Sequence, residues 1–272
     1  MNFLKKIFAG KIINLTFAAP TGCSVARYRA TFGMWRPQVR ILPPRRKIKA
    51  LTIVGAFLFY IEILKDMVTS FDDINTKLEK LTSLSQGYKA YLYDCDGTLA
   101  DNMGAHKETY IQVAADKGHS IEGDIIDELA GWPVIKVIEE INKRYNTNFD
   151  PHEFVDLKYK LFLDHYIDDT LPIVHVVEHL KNHAEKVRIG VVSGSKRQAV
   201  EKTLKVLGIC DLVEVMVCAG ETDHGKPHPD PFLKAAELLQ VNPEDCLVFE
   251  DGEAGTLAAE AAGMKWVRVD KL

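Results

Sequence analysis

The chain reads as an α/β protein, a doubly wound parallel sheet with an all-helical cap domain inserted after its first strand. Three observations predict this. After Pro172, short apolar segments alternate with segments of helical length, the pattern of a parallel sheet carrying helices on both faces. Segments such as Val187–Val192 and Cys246–Glu250 are apolar almost throughout, as strands buried on both sides must be. Between 103 and 172 only helical spacing occurs and no convincing strand.

In order, Phe71–Leu81 has the spacing of a short amphipathic helix, and Lys89–Tyr93 that of a strand. Helical spacing follows at 104–118, 133–144 and 150–166, with Gly131-Trp132-Pro133 as a break. The second half predicts helix 173–184, strand 187–192, helix 196–207, strand 212–218, helix 231–240, strand 246–250, helix 254–262 and strand 265–269. The expected division is 67–102 with 173–272 as the α/β core and 103–172 as the helical cap. An insertion at that point lies over the carboxyl ends of the strands, where such sheets bind ligands.

Residues 1–66 do not fit this pattern. They carry 12 Lys/Arg and 2 Asp/Glu, a net of +10, against 22 and 36, a net of −14, in 67–272; the two sum to −4. Residues 20–49 hold no period of 3.6 or 2, and the apolar run Ala50–Ile61 is 12 residues against the roughly 20 a spanning helix needs. A cleavable signal peptide fits poorly, because the run lies far from the N-terminus and no small-residue cleavage pattern follows. Three readings stand: a basic arm for a membrane surface or nucleic acid, a targeting peptide, or a translated transfer-RNA gene. In the third, Val39-Arg40-Ile41 is what the T-arm sequence GTTCGAATC encodes, and translation starts at Met67. The third is preferred, because segments of this composition have no core-forming pattern. For 67–272 neither a nucleic-acid nor a membrane partner is expected. The five cysteines form no CxxC pair, and four of them sit in apolar or strand-like contexts, which reads as reduced, buried thiols of a cytoplasmic protein.

Polar residues gather directly after the strands: Asp94-Cys95-Asp96-Gly97-Thr98, Ser193-Gly194-Ser195-Lys196, Gly225-Lys226 and Glu250-Asp251. In a parallel sheet all these ends share one edge, so the groups converge. Carboxylates that repel each other need a counter-charge, and a hard divalent cation fits; Mg²⁺ takes one or two carboxylates together with phosphate oxygens. Asp94 is then a nucleophile toward a phosphoryl group. Asp96 is the acid for the leaving oxygen and the base for water. Ser193, the loop amides and Lys226 bind the non-bridging oxygens. Cys95, flanked by two carboxylates that raise a thiol's pKa, is a core residue and not a nucleophile.

These four clusters, in this order, resemble the motifs of the haloacid dehalogenase-like superfamily over about residues 88–269. The nucleophile motif DxDGT stands at 94–98, the hydroxyl motif at Ser193, the lysine motif as GKPHPDPF and the acidic motif as FEDGEAG. The insert after the first motif resembles the subgroup with a four-helix cap, which includes β-phosphoglucomutase and small sugar-phosphate phosphatases. The resemblance implies a Rossmann-like core and an aspartyl-phosphate intermediate. It implies that Asp94, the Asp96 backbone carbonyl and Asp251 bind Mg²⁺ with Glu250 in support. It also implies that Thr98, His106, Gly131, Trp132, Gly194, Ser195 and Lys196 face the substrate. Where the family has serine after the Glu-Asp pair, this chain has Gly252, which puts one supporting contact in doubt.

The expected activity is hydrolysis of a small phosphorylated metabolite, a sugar phosphate; the sequence leaves the oligomeric state open, a monomer included. Asp96 argues against the dehalogenase and phosphonate-hydrolase reactions, which lack that aspartate. The mutase is the closer rival. His106, twelve residues after Asp94, fits both, but Glu128 stands where mutase-like caps place an arginine for a second phosphate. Lys158 is a further candidate in the cap. A catalytically inactive phospho-ligand binding module is the alternative of another class; it would be expected to have lost Asp94 or Lys226. His175, His179 and His183 share a helix face, and a solvated face is favoured there over a zinc site.

Overall fold

A computed structural model describes residues 72–129 and 132–272. The segment 1–66, the expected start at Met67 and the candidate Gly131 lie outside these residues. Residues 72–84 are helical, close to the helix expected at Phe71–Leu81. The core is a five-stranded parallel sheet of β1 (Ala90–Tyr93), β4 (Arg188–Val192), β5 (Val215–Val217), β6 (Cys246–Glu250) and β7 (Lys265–Arg268), in the order β5-β4-β1-β6-β7. Every residue of β1 is buried, as its central place requires.

Side chains alternate across the sheet because successive Cβ atoms of a strand point to opposite faces. Tyr91, Tyr93, Ile189, Val191, Leu247 and Phe249 form one face and pack on Val176, Val177, Leu180, Val200 and Leu204. These come from α5 (Val174–His183) and α6 (Arg197–Val206). Ala90, Leu92, Val217 and Val248 form the other face, against Phe232, Ala235 and Leu239 of α7 (Asp230–Leu239) and Ala258 and Ala259 of α8 (Glu253–Ala261). The chain runs outward from β1 to β4 and β5, then returns to the other side of β1 with β6. That reversal is a topological switch point, where the carboxyl ends of neighbouring strands open a crevice. It sets Asp94 beside Glu250 and Asp251.

The insert is the expected helical cap: α1 (Met103–Asp116), α2 (Asp124–Glu128), α3 (Val134–Tyr145) and α4 (Pro151–His165). It has its own core of Tyr110, Ile138, Ile141, Phe154 and Phe162, which meets the α/β core at Ala199. The Asp150 carboxylate accepts the Glu153 amide at 2.8 Å and Pro151 opens α4, which fixes where that helix begins. Two corrections concern local structure. The stretch expected to lack strands contributes β3 (Leu171–Pro172), paired antiparallel with β2 (Ala100–Asp101) where the chain enters and leaves the cap. Two residues are too few to show a period. The strand expected at 212–218 is shorter, because a 3₁₀ turn takes Cys210–Leu212.

The histidine face of α5 is corrected at its middle residue: His175 and His183 are half-buried, but His179 is not solvated. His179 is 0% exposed. Its ring nitrogens lie 2.9 Å from Ser85 Oγ and 2.8 Å from Tyr93 Oη. Burial, aided by His183, pushes its pKa down to about 3. The folded state therefore refuses a proton that the unfolded chain accepts below about pH 6.5. Stability is fully present above that pH and falls as pH drops toward 3. His179→Gln is expected to reduce the acid slope of the unfolding free energy between pH 6 and 4 by about 1.4 kcal/mol per pH unit. Equal slopes in wild type and variant would contradict this.

The four cysteines of the described residues are free thiols. No helix among those residues is long and apolar enough to cross a membrane.

Candidate active site

The site begins where β1 ends. Gly97 sits at φ +89°, and a Cβ there would lie 2.2 Å from Asp251 Oδ2, so only glycine fits the turn. The turn brings Thr98 Oγ1 to donate to Asp251 Oδ1 at 2.7 Å. From the lysine loop, the Lys226 ammonium donates to Asp94 Oδ1 at 2.7 Å, Glu250 Oε1 at 2.5 Å and the Val192 carbonyl at 2.9 Å. Its three protons are thereby all used. Glu250 is equally engaged: its Oε2 accepts the amides of Asp251 at 3.0 Å and Gly252 at 2.9 Å, at the start of α8. A side chain at position 255 would run into this carboxylate, which accounts for Gly255.

Asp94, Glu250 and Asp251 each present an oxygen within 4.8 Å of the others. Three carboxyls face one ammonium. Burial, with Glu250 and Asp251 adding to it, raises the Asp94 carboxyl well above the ordinary range despite Lys226. Burial and Glu250 push Asp251 up to about 6. Burial alone would lower Lys226, but the two acids outweigh it and raise the ammonium. The surplus negative charge and the hard oxygen donors suit a divalent cation. Since both Glu250 oxygens already accept hydrogen bonds, Asp94 and Asp251 are the carboxylates free to hold one directly.

Asp96 points elsewhere, toward the cap. Its Oδ1 accepts from Asn102 Nδ2 at 2.6 Å and its Oδ2 from Ser195 Oγ at 2.5 Å. His106 Nε2 lies 3.2 Å from Oδ1 and makes no other polar contact. Burial works to raise this carboxyl, but His106, Ser195 and Asn102 outweigh it and hold Asp96 as an anion. On the far side of the imidazole, Lys158 Nζ lies 2.6 Å from His106 Nδ1. An ammonium can only donate, so Nδ1 is the acceptor and the His106 proton is on Nε2, facing Asp96. Burial and the Lys158 charge push His106 down. Burial lowers Lys158 to about 8, and the rings of Tyr159 (4.4 Å), Tyr110 (5.4 Å) and Phe162 (5.5 Å) surround its Nζ.

A cleft opens above these groups. Its core side is Asp94, Asp96, Ser193, Gly194, Ser195, Glu250 and Asp251; its cap side is Met103, His106, Tyr110, Ile126, Leu129, Trp132, Val134, Val137 and Lys158. Of the residues expected at the substrate, His106, Trp132, Gly194 and Ser195 line this cleft. Thr98 does not: it is buried and its hydroxyl orients Asp251. Lys196 does not either, because its ammonium is exposed and paired with Asp156 Oδ1 at 2.6 Å. The Asp96 side chain is turned from the carboxylate cluster, so only its backbone is left for the metal. Asn102 and Tyr159 were not anticipated. Asn102 ends the same short loop as the motif, which is the one signal that could have found it.

Haloacid dehalogenase-like hydrolases form the family whose model matches this chain, over residues 91–269. A fructose-1-phosphate phosphatase of Escherichia coli is 31% identical over 184 residues, 67% of this chain and 96% of the relative. A β-phosphoglucomutase of Bacillus subtilis is 32% identical over 187 residues, 65% of this chain and 80% of the relative. Among solved structures, a β-phosphoglucomutase from Clostridium difficile is similar with a TM-score of 0.58 and 26% identity, covering 66% of this chain and 83% of that one.

Proposed function

The chain belongs to the haloacid dehalogenase-like hydrolase family, and from that premise we propose that it is a magnesium-dependent phosphatase of a small sugar phosphate, working in the cytoplasm through an aspartyl-phosphate. The observation that carries the proposal is the pairing of two differently held carboxylates on one turn. Asp94 is buried against Lys226 and the acidic pair, while Asp96 is held as an anion by His106 from the cap, Asn102 at the end of its own loop and Ser195 from the core.

Asp94 Oδ2, the oxygen Lys226 leaves free, attacks phosphorus, and the alcohol of the substrate departs toward Asp96. Asp96 is an anion in the free protein; the negative charge of a phosphomonoester bound beside it raises its pKa, so that it takes up a proton from solvent and passes that proton to the leaving oxygen. As an anion again, it takes a proton from the water that attacks the aspartyl-phosphate. Ser193 and the amide of Gly194 receive the phosphoryl oxygens. Lys226 holds Asp94 in line, and to bind a phosphate oxygen it must exchange one of its three present bonds. Asp94, the Asp96 carbonyl and Asp251 would hold Mg²⁺, whose charge offsets the surplus of carboxylates and polarises the phosphoryl group.

A mutase reading has support from the relatives, so the second-phosphate question matters. Glu128 does not face the cleft as expected. Arg144 holds it by two bonds of 2.6 and 2.7 Å, and it is absent from the cleft lining. The reason to prefer hydrolysis is therefore different. Lys196 is tied to Asp156 and Arg197 to Glu221, and Lys158 is the one Lys or Arg lining the cleft from the described cap residues. Lys158 lies behind His106. A second phosphate would find no free guanidinium there, so the phosphoryl group is expected to leave on water.

A panel of sugar phosphates with Mg²⁺, including fructose-1-phosphate and β-glucose-1-phosphate, tests this. The expected result is release of inorganic phosphate, with chelation by EDTA stopping it. Accumulation of glucose-6-phosphate with little free phosphate would establish the mutase instead. No turnover of any phosphomonoester would favour the inactive binding module.

A further inference from the structure

The geometry points to Tyr159 as a positioning residue for the reaction, through which the cap fixes the phosphate-binding loop of the core and, through that loop, Asp96. This rests on the phosphatase reading above. Tyr159 stands on α4 next to Lys158 and is 5% exposed. Its phenol oxygen accepts the backbone amide of Lys196 at 3.0 Å. That amide closes the loop Ser193–Lys196, directly before α6. Inside the loop, the Ser195 amide donates to Ser193 Oγ at 3.0 Å, and the Ser195 hydroxyl donates to Asp96 Oδ2 at 2.5 Å.

Two successive cap residues thus reach the two oxygens of one carboxylate. Lys158 reaches Oδ1 by way of His106, and Tyr159 reaches Oδ2 by way of Lys196 and Ser195. The Lys196 side chain also meets the cap: its ammonium lies 5.4 Å from the centre of the Tyr159 ring and pairs with Asp156, with both side chains of the pair largely exposed at 46% and 74%. An ion pair in water holds a loop weakly; a hydrogen bond from a backbone amide to a buried phenol oxygen holds it in one place. When the cap is seated, Ser193 and Ser195 are held where phosphate oxygens and Asp96 need them. When it is lifted, Lys196 N–H loses its acceptor and the loop is free to shift, which would tie turnover to cap seating.

Tyr159→Phe keeps the ring and deletes the acceptor. The expected result is a kcat roughly five- to tenfold lower with KM within about twofold, because the lost contact acts on the geometry of reaction more than on binding. The Lys196 amide is expected to exchange with deuterium roughly tenfold faster, with β1 and β6 unchanged. Lys196→Pro removes the same bond from the other side. Position 196 has φ −63°, which proline adopts without strain. It is expected to reproduce the kcat loss, and the double variant to add nothing further. Asp156→Ala, which breaks only the ion pair, is expected to stay within about twofold of wild type. Wild-type kcat and wild-type exchange in Tyr159→Phe would overturn the proposal, as would an Asp156→Ala loss equal to that of Tyr159→Phe. Should the protein turn over no phosphomonoester, the phosphatase reading fails, while the exchange comparison still decides whether Tyr159 anchors the loop.

Discussion

Asp94→Asn is expected to lower phosphate release by at least about 10⁴-fold, because an amide cannot serve as the attacking oxygen and no other carboxylate stands in its place. Asp96 is held toward the cap by Asn102 and Ser195. Asp251 is held by Thr98, and Glu250 by Lys226 and two amides. The variant is expected to keep its fold. Burial and the neighbouring acids Glu250 and Asp251 work against the Asp94 charge, and an isosteric neutral group relieves that repulsion while Lys226 keeps Glu250 as its partner. A circular dichroism melt at or above that of wild type, together with lost turnover, is the combination to look for. Turnover within tenfold of wild type would remove Asp94 from the chemistry.

Lys226→Met is expected to have the largest effect on stability. Lys226 is 3% exposed and Glu250 is 1% exposed, so removing the ammonium leaves Asp94 and Glu250 buried without their counter-charge. Breaking a buried pair in this way costs roughly 3–5 kcal/mol. Turnover should fall at least about 10²-fold, as expected when a group that stabilises transferred charge is lost. Denaturant unfolding at neutral pH measures the first effect. Mg²⁺ should restore part of the lost stability by taking over the counter-charge, and an unfolding free energy unchanged from wild type would contradict the assigned role.

The catalytic end of the sheet was legible because its chemistry is local. Asp94, Asp96, Gly97 and Thr98 lie on one turn, and the apolar runs before them show where strands end. A parallel sheet does the rest by gathering those ends on one edge. The cap side was not legible to the same degree. Lys158 and His106 are 52 positions apart, and Tyr159 meets Lys196 across 37, so no period or spacing joins them. Glu128 was read as facing the substrate because a motif position gives no side-chain direction, and its partner Arg144 comes from the next long helix. His179 has the same cause: its helix spacing suggested a wet face, but Ser85 and Tyr93 enclose it from elements far away in sequence. The paired strands at the cap's two connections are only two residues each, below what any pattern reveals.

The most direct measurement is a single turnover with the best substrate of the panel, quenched in acid during the reaction, digested at low pH and read by mass spectrometry. The expected result is one phosphoryl group on the peptide that contains Asp94, absent from Asp94→Asn and gone after the turnover is complete. A phosphoryl group on any other residue, or none during a turnover that releases phosphate, would contradict the mechanism at its first step.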